Sequence, residues 1–395
     1  MALGIYISVP FCRTKCSYCN FASDVFSRAL FERYVDRVCV DIENARQTAA
    51  EMGGKLEREV DSIYLGGGTP TLLASSQLER IFATVRRQFD VSAQAEVTVE
   101  CAPGTLTNAM VETFLRCGVN RVSLGVQSFV DQEATAVGRL HKRTTVLEEI
   151  ARLRAAGISK INLDLIAGLP HQTAESWDFS LSELIATGAP HASVYMLEVD
   201  EDSRLGRELL AGGARYHAHF VPDEEATADF YLAACSRFQS SGIKQYEISN
   251  FAREGFESGH NLKYWTRQPY LGFGVDAHSM LISAAPAIAA VRFAHADSLD
   301  RYVSRAPQQR TAVSHQAAFE ESFFLGLRLN RGVSLRKIAA NFGESAADNA
   351  RAIVAELVGD GLMERQEDLV WLTSRGRLLS NEAFERFILP EEVVR

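Results

Sequence analysis

Short apolar runs alternate with stretches of helical periodicity through the first half of the chain. Gly4–Val9, Ser62–Leu65, Glu96–Glu100, Val122–Val126, Ile161–Ile166 and Ser193–Val199 are β-rich and read as buried strands. Between them, the spacing of apolar residues predicts helices over Leu78–Phe89, Met110–Leu115, Val146–Ala155 and Ser176–Ala186, with Asn120 and Gly157 marking where a helix gives way to a strand. Strand and helix repeat six times. Each return to a parallel neighbour needs a crossover, so an α/β fold with a parallel sheet is expected. The sheet could be doubly wound or curled into a partial barrel.

The positions of the unusual residues favour the partial barrel. Cysteines follow the first strand, Gly66–Pro70 the second, and Glu100 ends the third. Gln127 follows the fourth, Asp164 and Gly168 lie near the end of the fifth, and Glu198 near the end of the sixth. A curled sheet gathers such ends on one rim, where barrel enzymes place their chemistry.

The pattern changes near residue 200. Asp200–Tyr216, rich in charge and Gly, reads as a connection that closes a first unit, 1–222. In a second unit, 223–310, Asp223–Gly242 forms a helix with Phe230, Tyr231, Ala234 and Phe238 on one face, and an aromatic, Gly-rich stretch follows, Gln245–His278. In a third, 311–395, helices around Phe319–Leu329, Leu335–Asn341 and Ala350–Asp360 precede two short apolar runs, Leu362–Arg365 and Leu369–Leu372. Helices before a small hairpin suggest a winged-helix-like α+β module. That shape often binds DNA, but the acidic stretch Glu364–Asp368 would repel phosphate.

Composition narrows the function. With 395 residues, 47% of them hydrophobic, the chain buries a large core. A net charge of -9 argues against a nucleic-acid partner. No apolar run approaches the ~20 residues that span a bilayer, so membrane association would be peripheral at most. Met1–Val9 has no basic n-region, and a cytoplasmic protein is expected. Seven cysteines, an odd number, fit reduced thiols better than disulfides. Cys39, Cys101, Cys117 and Cys235 are scattered among apolar neighbours and read as small buried hydrophobes.

The other three, Cys12, Cys16 and Cys19, stand in the segment Tyr6-Ile-Ser-Val-Pro-Phe-Cys-Arg-Thr-Lys-Cys-Ser-Tyr-Cys-Asn-Phe21. Soft thiolates at this density select iron–sulfur clusters, zinc or copper(I). A structural zinc site closes with four ligands, usually two pairs, and here it would need a distant histidine. Three ligands on a [4Fe–4S] cubane leave one iron open. Cys-x3-Cys-x2-Cys after an N-terminal strand resembles the radical-SAM superfamily, and the resemblance implies S-adenosylmethionine on the open iron. Reduction would then split the sulfonium to a 5′-deoxyadenosyl radical. Tyr18 matches the aromatic placed near the adenine, or simply covers the cluster.

Other segments extend the candidate site. Leu65-Gly66-Gly67-Gly68-Thr69-Pro70 lets backbone approach a ligand closely. Glu100 could accept bonds from ribose hydroxyls or an ammonium, or cap a helix. Arg139 could pair with a carboxylate. Asp164, inside an apolar strand, needs a partner. GIYISVPFC, YLGGGTPT, EVTVECAPGT, NRVSLGVQSF, INLDLIAGLPHQT and YEISNFA resemble the branch containing oxygen-independent coproporphyrinogen III oxidases and HemW heme chaperones. The resemblance runs nearly end to end. It implies a partial (β/α)6 barrel and cofactor contacts at Tyr6, Gly67, Gly68, Thr69, Glu100, Gln127, Arg139, Asp164 and Glu198.

Two differences point to the chaperones. The oxidases have another cysteine two positions after the third cluster cysteine, where this chain has Phe21, and a longer segment before the first strand, which here begins near residue 4. His260-Asn-Leu-Lys-Tyr264-Trp265 matches a segment linked to heme in the chaperone branch. His260 could ligate heme iron and Tyr264 and Trp265 could contact the macrocycle, or all three could belong to the core. His278 is a second candidate ligand. The expected function is a heme chaperone that passes heme to an acceptor protein, with coproporphyrinogen III oxidation as the alternative.

Anaerobic reconstitution should load about four irons per chain, the content of one cysteine-ligated cubane. Cys12→Ala, Cys16→Ala or Cys19→Ala should abolish loading, and Cys39→Ala should leave it intact. One zinc without labile sulfide would refute the cluster assignment.

Overall fold

The computed structural model describes residues 1–198, 200–201 and 203–388. Six strands form where expected: β1 Leu3–Val9, β2 Glu59–Gly67, β3 Asp90–Cys101, β4 Arg121–Gln127, β5 Lys160–Ala167 and β6 His191–Met196. They lie side by side in chain order, each parallel to the next. The expected run Ser193–Val199 is shorter as a strand, and Val199 itself lies outside the described residues. The four expected helices are present as Ser75–Gln88, Asn108–Cys117, Arg143–Ala155 and Ala174–Thr187.

Successive side chains on a strand face opposite ways. One face, including Ile5, Ile63, Leu65, Val99, Leu124 and Leu163, is fully buried in the main core with the helices. The other carries Tyr6, Tyr64, Glu100, Ser123, Asp164 and Tyr195. This face is concave. Tyr64 on β2 and Tyr195 on β6 interact electrostatically, although four strand spacings of about 4.8 Å would separate them in a flat sheet.

The sheet is larger than the sequence suggested. Residues from 244 onward add β7 Lys244–Gln245, β8 Asn250–Ala252, β9 Tyr270–Gly274, β10 His278–Ile282, β11 Ala290–Ala294 and β12 Gln309–Val313, giving twelve strands in one sheet. β8 joins β6 antiparallel, and β9 joins β1 parallel. The expected middle unit therefore continues the first sheet at both edges. Glycines obscured the strand pattern: a Cβ on Gly272 would lie 2.2 Å from the His278 carbonyl oxygen, and one on Gly274 2.3 Å from that of Ser8. The expected helix over Asp223–Gly242 is Glu224–Ser240, capped by Asp223 and burying Phe230, Tyr231, Ala234 and Phe238 as predicted. The expected connection Asp200–Tyr216 contains a further helix, Arg204–Leu210, and leads into a tight turn at Arg215–Phe220.

The C-terminal residues build their own core around Phe319, Phe323, Ile338, Val354, Leu357 and Phe387. Helices His315–Phe324, Leu335–Phe342 and Glu344–Gly359 pack with a small sheet in the order β13 Val333–Ser334, β15 Leu369–Leu372, β14 Met363–Gln366. Glu321 joins this module to the large sheet, with its carboxylate 2.7 Å from Arg267 Nε and 2.9 Å from Arg292 Nη1. Among the described residues no helix is long and apolar enough to cross a membrane.

Glu321 is almost wholly enclosed, and removing it leaves two guanidinium groups facing each other. Glu321→Ala should lower unfolding free energy by about 2 kcal/mol, less than a fully buried pair because Arg292 keeps some solvent. Urea denaturation with an unchanged midpoint would show that the join rests on other contacts.

Candidate functional site

The three cysteines lie on a loop that starts directly after β1 and is tied at several points. Cys12 N–H donates to the Asp24 carbonyl at 3.0 Å, and Lys15 Nζ reaches the carbonyls of Phe21 and Ser23, each at 2.6 Å. Ser17 N–H donates to the Val137 carbonyl at 3.2 Å, and Leu205 N–H to the Ser17 carbonyl at 2.8 Å. Burial is the largest influence on Cys12 and Cys19 and pushes both thiols up. They need a compensating cation before they ionise, and iron supplies one.

The glycine turn serves this loop. Gly68 N–H donates to the Val9 carbonyl and Thr69 N–H to that of Phe11, both at 2.7 Å. A Cβ on Gly68 would lie 2.6 Å from the Phe11 oxygen. The closeness expected between glycine backbone and a ligand is, at Gly68, closeness to the cysteine loop itself. Gly67 adopts φ 98°, where a side chain is strained. Gly66 leaves room for Glu100, whose carboxyl carbon would be 2.8 Å from a Cβ there.

Arg139 stands beside the loop. Its Nη1 is 3.6 Å from Cys16 Sγ, its Nη2 bonds the Gly125 carbonyl, and its Nε is buried without a partner among the described residues. Tyr18 packs in a small apolar cluster with Val137, Ile166, Leu169 and Leu197, next to Cys16 and Arg139. Gln127 ends β4 at φ 69° after a shift in strand register, a strained conformation for its residue type.

Inside the curl, Glu100 accepts from Tyr64 OH at 2.7 Å and from Gly67 N–H at 3.1 Å. Burial, reinforced by Asp164, pushes its carboxyl up to about 7 against the pull of these two donors. Tyr6 lies next to Tyr64, ring centroids 6.1 Å apart, and burial and Glu100 raise its hydroxyl. Asp164 has the partners a buried acid needs, Ser123 Oγ at 3.0 Å and Asn162 Nδ2 at 2.7 Å. Glu198 is exposed beyond the end of β6. Tyr64 was missed from sequence; it shares a strand face with Gly66, two residues away in the same motif.

His260 does not belong to this rim. It lies at the opposite end of the strands, where Ser62 of β2 pairs with Gly4 at the start of β1. The ring is buried and both nitrogens are taken, Nδ1 by Ser62 Oγ at 3.0 Å and Nε2 by Tyr264 OH at 2.8 Å. Burial lowers its pKa to about 3, so it stays neutral. Glu96 receives the N–H groups of Gly259 and His260, and Lys263 Nζ reaches the Ala2 carbonyl at 2.8 Å. Helix Gly259–Trp265 thus closes the floor of the curled sheet. Ligation of heme iron by His260 would have to break one of these two bonds. His278 is exposed, 3.8 Å from Asp276.

The rim residues fit an iron–sulfur cluster. Among the described residues no three histidine, cysteine or carboxylate side chains form a group that could hold a single metal ion. A cubane makes a different demand, because each thiolate takes its own iron. Cys12, Cys16 and Cys19 are free thiols, and Ser17 Oγ and Ser23 Oγ are buried in the same loop without hydrogen-bond partners among the described residues. Such donors suit cluster or cofactor acceptors.

Comparison with known proteins agrees with this geometry. Residues 6–184 match the Radical SAM superfamily and residues 313–379 the HemN C-terminal domain. The chain is 34% identical to the heme chaperone HemW of Bacillus subtilis, over 97% of this chain and 98% of that protein. It is 30% identical to the heme chaperone HemW of Escherichia coli, over 98% of each. Coproporphyrinogen III oxidase (HemN) from Escherichia coli, a radical SAM enzyme, superposes with a TM-score of 0.81 over 98% of this chain and 90% of that one; at 23% identity this establishes a shared fold.

Glu100 makes stability depend on pH. The unfolded carboxyl titrates near 4.5 and the folded one near 7, so between these values the folded state holds a proton that the unfolded chain releases. Its stabilisation is complete below about pH 4.5 and is lost as pH rises to about 7. Glu100→Gln should remove this slope and exceed wild type by ~3 °C in Tm above pH 7. Calorimetry from pH 5 to 8 showing a constant difference between the two proteins would contradict the assignment.

Proposed function

This chain belongs to the HemW branch of the radical SAM superfamily, and from that we propose that it is a heme chaperone. It binds a [4Fe–4S] cluster with S-adenosylmethionine, binds heme, and hands heme to an acceptor protein. The observation that carries the reading is similarity to heme chaperones along almost the whole of both chains. Phe21 supports it. Where the coproporphyrinogen oxidases resembled by this chain have a further cysteine, Phe21 is 63% exposed and offers apolar surface instead of a thiol.

In this reading Cys12, Cys16 and Cys19 would hold the [4Fe–4S] cluster, and S-adenosylmethionine would bind beside it. When bound, the pair supplies one-electron chemistry at the sulfonium. Arg139, fixed by the Gly125 carbonyl, directs its free Nε toward a cofactor carboxylate. Glu100, Gln127 and Asp164 provide acceptors and an amide for ammonium or ribose groups, with Glu198 at the edge. Tyr6 and Tyr18 cover apolar parts of the cofactor. Gly67, Gly68 and Thr69 hold the cysteine loop in register.

The test is a pair of assays on anaerobically reconstituted protein. Given hemin, it should bind about one equivalent, a stoichiometry expected of one ligating site. Given coproporphyrinogen III with S-adenosylmethionine and a reductant, it should release no protoporphyrinogen IX. Turnover that disappears in Cys16→Ala would replace the chaperone reading with the oxidase one.

A further inference from the structure

Three of the nine histidines meet on the rim. His171 follows β5, and His217 and His219 lie on the tight turn Arg215–Phe220, which the His171 N–H ties down by donating to the Phe220 carbonyl at 3.0 Å. His171 Nε2 is 3.0 Å from His217 Nδ1, and the ring of Phe220 lies 4.0 Å from that of His171 and 4.1 Å from that of His219. The chain accepts strain to make this cluster. His171, Tyr216 and His217 have φ of 69°, 56° and 58°, where residues with a Cβ are disfavoured.

The surroundings are apolar and open. Phe220 is 47% exposed, Tyr216 39% and Leu210 69%. Exposed aromatic groups beside unburied imidazoles have no part in a packed core, and they match a flat apolar ligand with a metal at its centre. The segment is also tied to the cysteine loop through Leu205 and Ser17.

We propose that His217 is an axial ligand of heme iron, with His171 orienting its ring and Phe220 and Tyr216 against the macrocycle. This rests on the heme-chaperone reading and names its cargo site. The chemistry follows from the imidazole pair. When His217 Nδ1–H donates to His171 Nε2, the tautomer of His217 is fixed and its Nε2 lone pair faces outward for iron. A second group that takes the other ring N–H is the usual support for a metal-bound histidine. The rival imidazoles are less suited: His260 has both nitrogens engaged, and His278 has only a distant carboxylate at 3.8 Å.

Hemin titration of the full-length wild type, His217→Ala, His171→Ala and His260→Ala tests the site, read by affinity and by the electron paramagnetic resonance spectrum of ferric heme. His217→Ala should bind at least about tenfold more weakly and lose the wild-type ligand signature, and added imidazole should restore it. His171→Ala should keep iron ligation with shifted spectral values, because it positions the ligand and does not touch iron. His260→Ala should melt earlier yet keep the wild-type spectrum. Wild type and His217→Ala that bind alike, with one spectrum, would overturn this site and leave the chaperone reading standing. Wild type that binds no heme would overturn both.

Discussion

A parallel sheet with one polar face can fold only if that face finds partners away from water, and this requirement organises the whole molecule. Each buried polar group left alone costs about 1–3 kcal/mol. The concave face answers with a chain of bonds across strands. Asn162 Nδ2 reaches Ser123 Oγ at 2.8 Å and Ser193 Oγ at 3.0 Å, and Asn162 Oδ1 lies 2.6 Å from His191 Nδ1. Ser193 Oγ continues to Asn250 on β8 at 2.9 Å. The curl is what allows side chains from distant strands to meet.

The two ends of the curl solve the requirement differently. At the floor, Glu96, Arg121, Lys263 and His260 bond backbone and side chains around helix Gly259–Trp265, while Arg121 Nη2 and Trp265 Nε1 are buried without hydrogen-bond partners among the described residues. At the rim, polar groups are left over. Arg139 Nε, Ser17 Oγ and Ser23 Oγ are buried without hydrogen-bond partners among the described residues, and Glu100 carries a raised pKa. Unsatisfied groups beside the cysteine loop suit a ligand bound there.

Much of the fold was legible because parallel strands between helices give nearly continuous apolar runs with clear breaks. The six central strands and the four expected helices lie within a few residues of expectation, apart from the longer N-terminal extension of β3, whereas helix Ala29–Glu43 between β1 and β2 was not anticipated. The edge strands were not legible. β7 has two residues and β8 three, too few for a period to show, and Gly272 and Gly274 interrupt β9. The cysteine motif was legible because its chemistry is local. The surroundings of His260 were not legible, because a histidine beside Tyr and Trp suits heme and a hydrogen-bonded core equally, and its contacts with Ser62 and Tyr264 arise only in the fold. The His171 cluster left a weak signal, two histidines spaced by one residue. Its third member is 46 residues away and arrives only through the fold.

A carrier must release what it holds, and that bears on where cargo can sit. Heme bound to His260 would have to be withdrawn from beneath the floor, breaking the bonds to Ser62 and Tyr264 and the helix contacts around them. Release would then disturb helix Gly259–Trp265 and its bonds to Ala2, Ser62 and Glu96. A ligand on the turn Arg215–Phe220 faces solvent, and its release disturbs only one short segment. Exchange between partners depends mainly on dissociation rate, which an open site keeps high. On the heme-chaperone reading, an open turn tied to the cysteine loop through Leu205 and Ser17 would let one scaffold keep a cofactor and a transferable cargo close together.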